Sequence, residues 1–121
     1  MAARSVLIVD DHVEFRSTAK RLLESEGYRV VGEAADGTTG LAAALDLRPD
    51  VVLLDVMLPD VNGFEIAEEL ALRAAKSLVV MISSRDASTY RTKLANSRAQ
   101  GFIFKGDLTG EALRAVVEEL E

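Results

Sequence analysis

The sequence contains no cysteine and a single histidine, His12, among its 121 residues. Without cysteine the chain has no disulfide, no catalytic thiolate and no cysteine-ligated zinc, and one histidine cannot form a metal-binding histidine cluster. Long apolar runs are missing too, since the run from Leu78 to Ile82 is far too short to span a bilayer. The N-terminal segment soon meets two aspartates, unlike a signal peptide. We therefore expect a cytoplasmic protein with no membrane contact.

Basic residues are scarce, with 14 lysines and arginines against 20 acidic residues and a net charge of −6. No basic stripe is present to replace the counterions of phosphate groups, which argues against direct contact with nucleic acid. The length predicts one domain over residues 1–121. A chain of this size buries enough surface to fold without a disulfide or a structural metal.

The run Val51-Val52-Leu53-Leu54 is apolar without alternation, which is typical of a strand buried on both faces in a parallel sheet. The run stops at Asp55, and Pro59 prevents simple continuation of regular structure. Asp55 therefore belongs at the carboxyl end of a central strand, where open α/β sheets bind their ligands.

The remaining chain alternates between short apolar runs and segments of helical periodicity. Strands are predicted at residues 6–9, 29–34, 51–54, 78–82 and 102–104, and helices at 13–26, 39–47, 62–75, 86–98 and 109–120. Asn62 and Thr109 are expected to cap the third and fifth helices. The fourth helix has a thin apolar face and should be the least well anchored. Strands joined by helical crossovers predict an α/β fold in which helices cover both faces of a parallel sheet.

Polar residues collect where the predicted strands end. Asp10 and Asp11 follow the first strand, Asp55 the third, Ser83 the fourth and Lys105 the fifth. Because the carboxyl ends of parallel strands share one edge, we expect three carboxylates, a hydroxyl and an ammonium in one pocket. A chance distribution of polar loop residues could supply two or three of them, but less readily this whole set.

The chemistry of this set indicates a metal site. Neighbouring carboxylates repel and raise a pKa unless a cation joins them. With no cysteine and no histidine cluster, the fitting cation is hard and oxygen-seeking, and Mg²⁺ is preferred. A lysine adds a point charge suited to phosphate oxygens. Together these groups predict phosphoryl transfer to an aspartate nucleophile.

Asp10-Asp11, the segment Asp55 to Gly63, Ser83 and Lys105 resemble the receiver domain of bacterial two-component response regulators, and the resemblance covers the whole chain. It implies a doubly wound five-stranded parallel sheet of the flavodoxin-like type, with strand order 2-1-3-4-5.

The resemblance also implies roles for individual residues. Asp55 is similar to the phosphoacceptor, and Lys105 and Ser83 are similar to the residues that assist the transfer. The implied Mg²⁺ ligands are Asp10, Asp11, Asp55 and the backbone carbonyl of Met57. Ser83 and Phe102 occupy the switch positions of the family. Gly106 departs from the family, which usually has proline after a cis peptide at this point, and leaves the geometry of the Lys105–Gly106 peptide open.

The implied function is a phosphorylation-dependent signalling switch in a two-component phosphorelay. A histidine kinase or phosphotransfer protein would donate the phosphoryl group to Asp55, and the face formed by helix 4, strand 5 and helix 5 would change for a downstream output domain or protein. The chain would assist its own phosphorylation and dephosphorylation rather than act as an enzyme on a separate substrate. A homodimer stays open, since no residue indicates one.

Three other hypotheses stay open: a pseudo-receiver that binds proteins without phosphorylation, a phosphohydrolase with an aspartyl-phosphate intermediate, and a flavin-binding electron carrier. His12 fits a solvated residue at the entrance to helix 1. The polar residues of two helices have two interpretations, an ordinary solvated face or a partner surface. They are Arg16, Lys20 and Arg21 in helix 1, and Tyr90, Arg91 and Arg98 around helix 4.

Overall fold

The computed structural model describes residues 4–73 and 75–120, the last without its side chain. Its five strands are β1 (Ser5–Val9), β2 (Arg29–Ala34), β3 (Val51–Asp55), β4 (Leu78–Ser83) and β5 (Gly101–Phe104). All neighbouring pairs are parallel, and the strand order is β2-β1-β3-β4-β5. The predicted α/β class and strand order are therefore confirmed.

Five α-helices connect and follow the strands: α1 (Val13–Ser25), α2 (Gly37–Leu47), α3 (Gly63–Leu72), α4 (Arg91–Ala95) and α5 (Gly110–Leu120). Two short 3₁₀ turns, Ala87–Tyr90 and Lys105–Asp107, precede α4 and follow β5. Among the described residues, no helix combines the length and the apolar character needed to cross a bilayer.

The sheet separates two apolar cores. One lies against α1 and α5 and includes Val6, Ile8, Leu23, Leu53 and Leu113. The other lies against α2 and α3 and includes Leu7, Val9, Leu54, Ile66 and Leu70. Successive side chains of a strand point to opposite faces, so an unbroken apolar run fills both cores at once. Full burial of each such side chain contributes roughly 1.5–3 kcal/mol.

Side-chain caps determine where three of the helices begin. Asn62 Oδ1 accepts from the Phe64 N–H at 2.8 Å, and Thr109 Oγ1 accepts from the Ala112 N–H at 2.9 Å, so both predicted caps are confirmed. α2 begins two residues earlier than predicted because Asp36 caps it through the Thr39 N–H at 2.8 Å.

Asp60 also binds the start of α2. Its carboxylate accepts from the backbone N–H groups of Gly37 at 2.7 Å and Thr38 at 2.9 Å. These bonds lower the pKa of Asp60 to about 2. The loop that follows Asp55 is thereby attached to the positive end of a helix.

The third and fourth helices differ from their predicted lengths. α3 ends at Leu72 rather than near residue 75, and Ala74 lies outside the described residues. The segment predicted as one helix over 86–98 is a 3₁₀ turn followed by a five-residue α4, in which no residue is buried. The expected weak anchoring of this helix is confirmed, and its thin apolar face explains the short length.

Candidate functional site

The carboxyl edge of the sheet brings an acidic pair and a lysine into contact. Lys105 Nζ lies 2.5 Å from Asp10 Oδ2 and 3.4 Å from Asp55 Oδ2. Asp10 follows β1, Asp55 ends β3 and Lys105 follows β5, so three strands of a parallel sheet deliver the three side chains to one place. The Lys105 ammonium also lies 4.7 Å from the centroid of the Phe15 ring, which limits its access to water.

Burial of the two aspartates disfavours their charged forms. Asp10 is completely buried and Asp55 is 4% exposed. Burial, with a further contribution from the Asp10 charge, raises the pKa of Asp55 to about 6, although Lys105 acts in the opposite direction. Asp55 is therefore mostly ionised at neutral pH and more basic than an ordinary aspartate, as suits an oxygen nucleophile.

The acidic residues fit a hard divalent cation. Side-chain atoms of Asp10, Asp11, His12 and Asp55 lie within 4.8 Å of one another. Among the described residues, the buried Asp10 Oδ2 accepts no well-directed hydrogen bond, so its contact with Lys105 is an ion pair only. A buried carboxylate oxygen without a hydrogen bond and two further carboxylates are the donors that Mg²⁺ prefers.

Met57 lies beside this cluster. Its backbone N–H donates to Asp55 Oδ1 at 3.3 Å, and a bridge to Asn62 folds the loop back towards α3. Gly63 is required at this return, because a Cβ there would lie 2.1 Å from the Asp55 carbonyl oxygen. Met57 is 61% exposed. The role of its carbonyl as a metal ligand stays a prediction.

Ser83 is buried at the end of β4, but its contacts lead away from Asp55. Its Oγ accepts from the Arg85 N–H at 3.0 Å and lies 3.5 Å from the Tyr90 hydroxyl oxygen. Within the described part of the chain, no hydrogen bond joins Ser83 to Asp55 or Lys105. The structure therefore places Ser83 at the same edge without bringing it into direct contact with the acidic pair.

Tyr90 links Ser83 to Phe102, the second predicted switch residue. The Tyr90 ring centroid lies 6.3 Å from that of Phe102 and 6.0 Å from that of Phe64. Tyr90 is only 9% exposed, so its interpretation as part of a solvated face is wrong. The helical spacing of Ala87, Tyr90 and Leu94 was the signal of this packing.

Arg16 is a second residue whose part in the site was missed. Its Nη1 donates to the Asp10 backbone carbonyl at 2.6 Å, and its Nε lies 3.2 Å from Glu33 Oε1. The side chain is 15% exposed, so for Arg16 a freely solvated face is the wrong interpretation. The guanidinium thereby holds the backbone at Asp10, the first residue of the Asp10-Asp11 sequence. Nothing local in the sequence indicates this contact, because its acceptors come from two other elements.

Every peptide bond in the described residues is trans, including Lys105–Gly106. The Phe104 ring lies against Gly106, where an added Cβ would meet Phe104 Cε2 at 2.6 Å. Gly106 thus leaves room for an aromatic ring next to the residue that carries the site's ammonium group. His12 is solvent-exposed at the start of α1, as predicted, yet its ring faces the two acids.

Comparisons with known proteins agree with this geometry. The sequence profile of the response regulator receiver domain family matches residues 6–118. The chain belongs to this family. It is 33% identical over 110 residues to the virulence factors putative positive transcription regulator BvgA of Bordetella pertussis, covering 91% of this chain and 53% of BvgA. It is 36% identical over 112 residues to the response regulator GacA of Pseudomonas aeruginosa, covering 92% and 52%.

Solved structures are similar over nearly the whole chain. The signal receiver domain of the putative response regulator NarL from Mycobacterium tuberculosis has a TM-score of 0.88 and 30% identity, over 98% of both chains. A CheY-like receiver domain protein from Methanospirillum hungatei has a TM-score of 0.81 and 28% identity, over 98% of this chain and 94% of that one. By contrast, the chain spans about half the length of the regulators BvgA and GacA.

Proposed function

We propose that this chain is a phosphorylation-dependent switch whose phosphoacceptor is Asp55. The observation that carries the proposal is the buried ion-paired cluster in which Lys105 Nζ contacts both Asp10 and Asp55. In the transfer, an Asp55 oxygen attacks the phosphorus of a phosphohistidine on a kinase or phosphotransfer protein. The new O–P bond forms as the P–N bond breaks, and the electron pair leaves with the imidazole.

Asp10, Asp11, Asp55 and the Met57 carbonyl would hold Mg²⁺ during the transfer. The ion supplies charge neutralisation for the phosphoryl oxygens and the attacking carboxylate. Lys105 contributes a second positive charge, which stabilises charge that develops on the phosphoryl oxygens. The raised pKa of Asp55, about 6, keeps the nucleophile basic while leaving it ionised at neutral pH. The same residues would assist hydrolysis of the aspartyl-phosphate, without turnover of a separate substrate.

The response to phosphorylation would run through Ser83, Tyr90 and Phe102. The modification adds about −1.5 to −2 charges at neutral pH, which attracts the Lys105 ammonium and the Ser83 hydroxyl. A shift of Ser83 would change its contact with the Tyr90 hydroxyl and the packing of Tyr90 against Phe102. The poorly anchored α4 would then change position with β5 and α5, as a shift between two existing states.

The output would belong to another part of a longer protein or to a separate partner. The chain spans about half of BvgA, which is described as a putative transcription regulator. We infer that this domain controls such an output without touching nucleic acid itself, because its net charge is −6.

The test compares the original chain with Asp55→Asn and Asp46→Asn after incubation with acetyl phosphate and Mg²⁺. Asp46 is an exposed aspartate of α2 and serves as the matched control. We expect intact-protein mass spectrometry to show one added phosphoryl group on the original chain and on Asp46→Asn, and none on Asp55→Asn.

Equal phosphorylation of Asp55→Asn would contradict the assignment of the phosphoacceptor. A chain that takes up neither phosphoryl groups nor beryllofluoride in the presence of Mg²⁺ would instead be a pseudo-receiver, which acts only through protein binding.

A further inference from the structure

His12 holds an unusual position at the acidic cluster. It is the N-cap residue of α1, but its side chain makes no capping hydrogen bond to the helix. Its Nδ1 instead lies 3.0 Å from Asp10 Oδ1 and 3.2 Å from Asp11 Oδ1. The remainder of the ring is open to solvent, since 66% of the side chain is exposed.

These separations match those of ligands that share a metal ion. Adjacent ligands at about 2.1 Å from an octahedral cation are about 3.0 Å apart, and opposite ligands about 4.2 Å apart. The ligand atoms of Asp10, Asp11, His12 and Asp55 all lie within 4.8 Å of one another. A contraction of a few tenths of an ångström would therefore bring an imidazole nitrogen and three carboxylates around one ion.

A second observation points to a ligand in the same place. Asp10 is completely buried, and its Oδ2 has no well-directed hydrogen bond in the described part of the chain. A hydrogen bond from His12 Nδ1–H would also explain the short distance to Asp10, but it engages only Oδ1. In that arrangement the second oxygen has the Lys105 ammonium, 2.5 Å away, as its ion-pair partner. A cation within the cluster would give this buried carboxylate a second positive partner.

We propose that His12 is a metal ligand through Nδ1, so that the site binds nitrogen-seeking divalent cations such as Co²⁺, Ni²⁺ and Zn²⁺ in addition to Mg²⁺. The inference rests on the proposed function in that it uses the same acidic site. Mg²⁺ gains little from imidazole, whereas the later first-row metals bind it well. His12 thus determines which cations compete for the site, while the carboxylates provide the binding of Mg²⁺.

The experiment measures the affinities of untagged protein for Mg²⁺, Ni²⁺ and Zn²⁺ by calorimetric titration. The variant is His12→Asn, because asparagine is a good N-cap residue and α1 should keep its start. Glu14→Gln, which removes an exposed acid from the first turn of α1, is the matched control. In His12→Asn we expect the Ni²⁺ and Zn²⁺ affinities to fall at least about tenfold. The affinity for Mg²⁺ should change less than about twofold. Glu14→Gln should behave like the original chain.

A second measurement identifies the ligand directly. Because the chain has one histidine and no cysteine, an imidazole nitrogen signal in pulsed electron paramagnetic resonance of the Cu²⁺-loaded protein can arise only from His12. We expect this signal in the original chain and a much weaker one in Asp11→Asn, since His12 and Asp11 would hold the same ion. A nitrogen signal of equal strength in Asp11→Asn would overturn the shared site.

The remaining outcomes separate this inference from the proposed function. If His12→Asn binds Ni²⁺ as tightly as the original chain, or loses affinity for all cations equally, His12 is not a selective ligand. Neither result would contradict the proposed phosphorylation of Asp55. If the original chain binds no divalent cation at all, both this inference and the metal-assisted transfer to Asp55 are wrong.

Discussion

The two sides of the candidate site are built very differently. On the side of β1 and β3, every strand residue is buried, and the guanidinium of Arg16 and the carboxylate of Asp60 fix the adjoining loops. On the side of β4 and β5, β4 is also buried apart from its first residue, but a 3₁₀ turn leads into α4, which buries no residue. The acidic residues thus lie in a firmly packed half of the site, the β1–β3 half, whereas the candidate switch residues Ser83 and Phe102 lie in the α4 half, beside a helix with few apolar contacts.

Truncation of one leucine in each half would test this contrast with the largest expected effect. Leu54 of β3 is completely buried, while Leu94 of α4 is only half-buried. We expect Leu54→Ala to lower the free energy of unfolding by about 3 kcal/mol, because a core cavity remains. Leu94→Ala should cost about 1 kcal/mol or less. Urea denaturation would measure both, and equal costs would remove the distinction between the halves.

In the β1–β3 half, the free energy of unfolding should also depend on pH, because Asp55 has a raised pKa. The pKa of Asp55 is raised from 3.8 to about 6, so folding favours its protonated form. Protonated Asp55 therefore contributes stability that is fully present below the unfolded pKa of 3.8. About 3 kcal/mol of this stability is lost as the pH rises through the folded pKa of about 6.

Asp55→Asn removes this cost. We expect the variant to exceed the original chain in stability by up to about 3 kcal/mol at neutral pH, with no gain near pH 4. Urea titrations across this pH range would measure the difference, and the exposed Asp46→Asn is the control. A stability gain that does not depend on pH would show that ionisation of Asp55 is not its source.

The smallest expected effect compares the two tyrosines. In the α4 half, the Tyr90 hydroxyl oxygen lies 3.5 Å from Ser83 Oγ. The Tyr28 hydroxyl instead donates to the carbonyl of Gly110, the first residue of α5, at 3.3 Å. Each Tyr→Phe substitution should change the free energy of unfolding by about 1 kcal/mol or less. Only Tyr90→Phe should alter the shifts of Phe102 amide signals on binding of beryllofluoride, measured by nuclear magnetic resonance. Identical responses of the two variants would show that the Tyr90 hydroxyl does not couple Ser83 to Phe102.

The sequence predicted the sheet because its central strands are unbroken apolar runs, and it predicted the residues at the strand ends because parallel strands share an edge. Contacts between distant elements were not accessible in this way. Three such contacts depend on how the elements pack: the Asp60 bonds to α2, the Arg16 bond to the Asp10 carbonyl and the tilted contact of the Tyr90 and Phe102 rings. The lengths of α3 and α4 depended on packing as well, because a weak apolar pattern does not fix where a helix ends.

The attachment of Asp60 to the start of α2 has a directional consequence. Its pKa of about 2 keeps the carboxylate charged in mildly acidic solution, so its hydrogen bonds to the Gly37 and Thr38 N–H groups persist there. The loop after Asp55 is therefore held on the α2 side. We expect a displacement caused by the proposed phosphorylation of Asp55 to be transmitted to β4 and β5 rather than to α2.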